Sequence, residues 1–129
     1  MIMKPRKEKA RAFKYKKFSK DASKASITDA ELYRAIQEVM QGQAVDLGGG
    51  VYKKRLNKNT HRSIILAKGK NIWVFQYLYA KKDLDNISIE DLVLLKTLAS
   101  NYGAMTVAEL DKLIESKELQ EIYYGDEEI

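Results

Sequence analysis

The nine residues Ile72–Ala80, IWVFQYLYA, constrain this chain most tightly. All are apolar or aromatic except Gln76, the pattern of a central strand covered on both faces. Two further strands precede it. Val51–Leu56 alternates, with Val51, Lys53 and Arg55 on one face and Tyr52, Lys54 and Leu56 on the other. His61–Ala67 carries Ile64, Ile65 and Leu66, so it is apolar on both faces. A polar loop, Asn57–Thr60, joins the first pair, and Lys68-Gly69-Lys70-Asn71 reads as a hairpin turn to the third. Three strands with such short links make an antiparallel meander.

Helix signals flank the meander. Thr28 and Glu31 form a capping-box pair ahead of an apolar stripe of Leu32, Ala35, Ile36, Val39 and Met40, and Gly42 provides a stop. Tyr33 and Arg34 fall on the expected surface of that helix. Ser88 and Asp91 open another helix, striped by Leu92, Leu95, Leu98, Ala99 and Tyr102 and ended by Gly103. Thr106 and Glu109 cap a last one, with Leu110, Leu113 and Ile114 apolar. Phe13 and Tyr15 alternate with lysines as a short strand, and Phe18–Ala25 reads as a short helix. The expected class is α+β: a small antiparallel sheet, made of the N-terminal strand plus the three-stranded meander, packed by N-terminal helices, with additional C-terminal helices. Residues 1–11 read as a basic mobile tail, 12–122 as a single domain, and 123–129 as an acidic end in which, with the segment before it, Leu119, Ile122, Tyr123 and Tyr124 are candidate anchors. The triplet Gly48-Gly49-Gly50 reads as a turn or bulge entering a strand. Neither the Lys-Ser/Thr nor the following helix of a phosphate loop is present.

Composition narrows the chemistry. The chain has no cysteine, which removes disulfides and thiolate chemistry and suits a reducing cytosol, so a cytoplasmic location is expected. No apolar run approaches the ~20 residues of a membrane span, and the charged N-terminus lacks the apolar core of a secretory signal. One histidine excludes a multi-histidine metal site, and Asp83 with Asp85 is too little for magnesium, so no metal and no cofactor is expected. Ser63 and His61 share a strand face but nothing orients them as a hydrolytic pair. Charge is divided along the chain. Residues 1–82 hold 20 Lys/Arg against 6 Asp/Glu, and residues 83–129 hold 3 against 12. A basic first part points to an anionic partner.

The cations that matter lie on the meander. Lys53 and Arg55 share a face, Arg62 opens the next strand, and Lys82 follows the last. Their spacing lets all four converge on one sheet face, with Lys54 and Lys81 beside them. A solvated basic face is the ordinary alternative for such residues.

These residues also carry a resemblance. Asp46–Arg55, DLGGGVYKKR, with Arg62 and then Tyr79–Ser88, YAKKDLDNIS, resembles the RelE/ParE superfamily of type II toxins, in its longer RelE/HigB-like subgroup. Tyr79 stands where that subgroup usually has phenylalanine. The likeness spans roughly residues 12–122. It implies a toxin paired with an antitoxin of helix-turn-helix type, and a metal-independent, ribosome-dependent mRNA endoribonuclease that inhibits translation. MRNA and the ribosome would then be partners. The family's basic residues carry over to Lys53, Arg55, Arg62 and Lys82 as catalytic groups, with Lys54 and Lys81 as RNA contacts. In such chemistry a lysine among clustered cations takes the 2′-hydroxyl proton, and guanidinium groups stabilise the phosphorane charge. Two departures stand out. Ile87–Ser88 supplies no late tyrosine or histidine, and His61 after Thr60 replaces the usual tyrosine after glycine. Strand alternation points His61 away from Arg62. The alternatives are a non-enzymatic ParE-like inhibitor of a gyrase-type target, and a non-toxic module that binds antitoxin or RNA.

Overall fold

The computed structural model describes residues 10–84 and 86–122. Its order is β1 (Arg11–Tyr15), α1 (Lys16–Lys24), α2 (Asp29–Met40), β2 (Val45–Gly48), β3 (Val51–Leu56), β4 (His61–Lys68), β5 (Ile72–Ala80), α3 (Ile89–Ala104), α4 (Val107–Glu115) and β6 (Leu119–Glu121). The six strands form one sheet in the order β2-β3-β4-β5-β1-β6. It is the expected α+β fold, with N-terminal helices on one side and C-terminal helices on the other. β5 is central, as its apolar run requires: β4 flanks it antiparallel and β1 parallel.

The sheet is wider than four strands. β2 pairs with β3, and β6 pairs antiparallel with β1. Both added strands are short, at four and three residues. β1 begins at Arg11, whose guanidinium meets the Glu121 carboxylate on β6 at 2.9 Å. The rest of the basic tail and Tyr123–Ile129 lie almost wholly outside the described residues. Leu119 and Ile122 are buried anchors, as their apolar character suggests.

Two cores sit on the two faces of the sheet. Phe18, Ala22, Leu32, Ile36 and Val39 of α1 and α2 cover Leu56, Ile65, Trp73, Phe75 and Leu78. Leu95, Ala99 and Tyr102 of α3 and Leu110 of α4 cover Phe13, Val51, Ile64, Leu66 and Val74. Full burial of such side chains contributes about 1.5–3 kcal/mol each. Among the described residues no helix is long and apolar enough to cross a membrane.

Local signals place the helices closely. Thr28, Ser88 and Thr106 accept from the backbone N–H three residues on. Only Thr106–Glu109 closes a full capping box. Glu31 instead turns its carboxylate to the Asn57 N–H in the β3–β4 loop, a long-range contact that overrides the local one. Tyr33, expected on the surface, is buried, because α1 and the sheet cover a wider arc of α2 than its aliphatic stripe. Helix α3 runs through Gly103 to Ala104 rather than ending at the glycine. The triplet Gly48–Gly50 is a turn with a register shift, and all three glycines have positive φ. A Cβ at Gly49 would lie 3.0 Å from the Lys96 side chain, and one at Gly50 3.4 Å from Ala99, so the triplet also lets α3 approach the sheet.

Candidate functional site

The face that α3 covers is only half closed. Across β3, β4 and β5 the register sets up successive rows of side chains. Val51 and Leu66, with Val74, make an apolar row under α3. Next come Lys53, Ile64 and Tyr77, then Arg55, Arg62 and Tyr79. Lys53, Arg55 and Arg62 therefore share one sheet face, as strand alternation predicts.

Arg62 is the centre of this arrangement. It is only 8% exposed. Its Nη1 donates to the carbonyls of Asn59 (3.1 Å) and His61 (3.2 Å). Among the described residues it makes no ion pair with a carboxylate. A buried cation without a counter-charge is costly. Arg55 stands directly opposite on β3. Like charges so placed oppose each other by a few tenths to ~1 kcal/mol. Lys53 is half-buried and Arg55 exposed, and neither side chain makes a hydrogen bond or ion pair among the described residues. Arg55 sits at the open edge of β3, bordering a depression of about 510 Å³ shared with Arg34, Glu38 and Lys58.

The loop beside Arg62 is held tightly. Asn57, Lys58 and Asn59 have φ of 53°, 53° and 71°, a left-handed run that favours asparagine and costs other residues energy. Glu31 fixes the Asn57 N–H, and Asn57 Nδ2 donates to the Ala25 carbonyl. Thr60 Oγ1 donates to the Asn57 carbonyl at 2.6 Å, and Arg62 closes the set at Asn59. The guanidinium is thus oriented by the loop it stabilises.

The other predicted residues fall elsewhere. Lys54 points to the opposite face, where its ammonium meets Glu38 (3.2 Å) and the Gln43 carbonyl (3.0 Å). That clips β3 to α2 and occupies the charge. Lys81 and Lys82 lie in the exposed turn after β5, with the Lys81 N–H donating to the Thr60 carbonyl. With Asn59, Thr60 and His61 they line a depression of about 670 Å³ at the sheet's end. Lys82 therefore lies at the end of the sheet rather than on the face shared by Lys53, Arg55 and Arg62. His61 lies opposite Leu56, its Nδ1 2.9 Å from Thr60 Oγ1, within the loop's network. Ser63 is fully buried and its hydroxyl donates to the Lys54 carbonyl. Asp85 lies outside the described residues, among which no three metal-ligating side chains are grouped.

Sequence reasoning missed two residues here. Tyr79 faces Arg62 across the strands, and Tyr77 neighbours it with ring centroids 5.6 Å apart. Burial pushes the Tyr79 phenol above its usual range, against the opposing pull of the Arg62 charge. Only the register between β4 and β5 reveals this, and a register shift inside β5 hides it from simple alternation.

No curated protein and no solved structure matches the chain. The family model described as the RelE toxin of the RelE/RelB toxin–antitoxin system matches residues 10–122. The chain belongs to the RelE toxin family, the toxin partner of an antitoxin.

Proposed function

We propose that the toxin is a ribosome-dependent mRNA endoribonuclease that works through its own cations without a metal. The observation that carries this reading is Arg62, buried, fixed by its loop and lacking a carboxylate among the described residues. A phosphodiester would supply a counter-charge. In the reaction the RNA 2′-oxygen attacks the neighbouring phosphorus, and the 5′-oxygen of the next nucleotide leaves. Lys53 takes the 2′-hydroxyl proton, on the same face and one row from Arg62. Arg62 and Arg55 carry the added charge of the phosphorane, with guanidinium forks suited to its equatorial oxygens. Lys82, at the end of the sheet, returns a proton to the leaving oxygen, with Lys81 contacting the RNA backbone beside it. The products are a 2′,3′-cyclic phosphate and a 5′-hydroxyl. A cytoplasmic site of action follows from an mRNA and ribosome target, and the antitoxin is of helix-turn-helix type.

Primer extension on mRNA in a translating extract tests this. Wild-type protein produces new cleavage ends, and Arg62→Ala reduces their rate by about 10²–10³-fold. Toxicity that persists in Lys53→Ala/Arg55→Ala without any new ends contradicts the nuclease and favours a gyrase-type inhibitor, which needs no cation row.

A further inference from the structure

Helix α3 is apolar on both of its sides. Leu95, Ala99 and Tyr102 point into the core on the sheet. Ile89, Val93, Leu94 and Leu98 point outward, and Val107 at the start of α4 continues them. Ile89 is 82% exposed, Leu94 63% and Val107 64%. A helix that is hydrophobic all round is ordinarily covered all round. Among the described residues nothing covers this outer face.

Its lack of charge sets the patch apart. The chain has 23 Lys/Arg and 18 Asp/Glu in 129 residues, yet from Leu92 to Ala108 the only charged residue is Lys96. Lys96 is half-buried and lies over Gly49, so it does not interrupt the face. Exposed carboxylates stand at both ends of the run: Glu90 and Asp91 before it, Glu109 and Asp111 after it, against one exposed cation, Lys112.

Those charges decide between occupants. A polyanion is repelled by the carboxylates and gains nothing from the uncharged middle. A second copy fits poorly. A two-fold pairing sets Glu90 and Asp91 against themselves when the helices run parallel, and towards Glu109 and Asp111 of the other copy when they run antiparallel. A partner that is apolar in the middle and basic at its edges meets neither cost. The family supplies a partner, the antitoxin. The outer face of α3 is turned away from the sheet, so such a partner does not have to cover Lys53, Arg55 and Arg62.

We propose that the outer face of α3, continued by Val107, docks an amphipathic helix of the antitoxin, apolar where it meets Val93, Leu94 and Leu98 and edged by lysine or arginine. Membership of a toxin–antitoxin pair supports this docking whether or not the toxin cleaves RNA.

Isothermal titration calorimetry of the whole toxin with the purified antitoxin encoded beside it tests this. Leu94→Lys weakens binding by roughly tenfold or more. Val45→Lys, at another exposed apolar residue, opposite Lys53 on β2, leaves binding unchanged. Glu90→Lys weakens binding too and flattens its dependence on salt. Unchanged affinity in Leu94→Lys overturns the docking surface, and so does a greater loss in Val45→Lys, which puts the antitoxin on the cation side. Unchanged binding in Glu90→Lys overturns the basic edge. Light scattering on the toxin alone separates the remaining occupant: a dimer that Leu94→Lys converts to a monomer means that a second copy covers α3, and the proposal fails. It fails equally if wild-type toxin and antitoxin do not bind. Leu94, Glu90 and Val45 are exposed enough for substitution to spare the fold, and circular dichroism on each variant checks this.

Discussion

Lys53 and Lys54 are neighbours in sequence with opposite fates. Lys54 faces α2, and its ammonium is spent on Glu38 and the Gln43 carbonyl. Lys53 faces the side of Arg62 and makes no such bond among the described residues. The same contrast holds for the two sides of the sheet end. One side pairs its charges and closes into a core. The other sets Arg55 opposite Arg62 and leaves a buried guanidinium without a carboxylate among the described residues. A protein selected for stability alone would not keep the second arrangement. Its partners explain Lys54 as a structural cation, whereas Lys53 is left open to the role proposed above.

The largest expected effect comes from breaking the open side. Arg62→Ala lowers mRNA cleavage by about 10²–10³-fold, measured by primer extension. Arg62→Lys keeps the charge but loses most of that rate, because a point charge cannot make the forked contacts or hold the Asn59 carbonyl in the same way. Next is the loop that aims Arg62. Glu31→Ala leaves the Asn57 N–H without its acceptor and frees the left-handed turn, costing about 1–3 kcal/mol in chemical denaturation. Cleavage falls with it, because Arg62 loses its anchor. A result in which stability falls but cleavage does not would separate the loop from the site.

Smaller effects sharpen the contrast. Arg55→Thr relieves the cross-strand repulsion and suits a strand. Its melting temperature rises by a few degrees at most, for a gain of up to ~1 kcal/mol, while cleavage drops. The least effect is one of pH. Burial, followed by repulsion from Tyr15 and Glu118, pushes the Tyr102 phenol up to about 12 from its ordinary 10.0. A raised phenol is neutral in the folded state, so its stabilising contribution is whole below pH 10 and is lost as pH rises from about 10 towards 12. Thermal unfolding in that window weakens faster for wild type than for Tyr102→Phe.

What was legible in the sequence was local. Thr28, Ser88 and Thr106 announce their helices because a cap is made within three residues. The cation face was legible because alternation along β3 and the short loop to β4 leave little choice of register. What stayed hidden depends on distant partners. β2 and β6 are short edge strands that exist only by pairing with β3 and β1. Glu31 abandons its capping box for Asn57, 26 residues away. The loss of Lys54 to Glu38 could not be seen before α2 was packed on β3. The tyrosines at Arg62 depend on a single extra residue in β5, held by a hydroxyl from α3. No periodicity in IWVFQYLYA marks that residue, apart from its being the one polar side chain in the run.

The central claim is that partnered and unpartnered lysines divide structure from chemistry, and the adjacent pair tests it most directly. Lys53→Ala and Lys54→Ala are compared for cleavage rate in a translating extract and for melting temperature. The expected result is a crossed one: Lys53→Ala loses at least 10²-fold in rate with its melting temperature unchanged, and Lys54→Ala keeps its rate but melts lower. Equal rates in the two variants, or a greater loss of rate in Lys54→Ala, would contradict it.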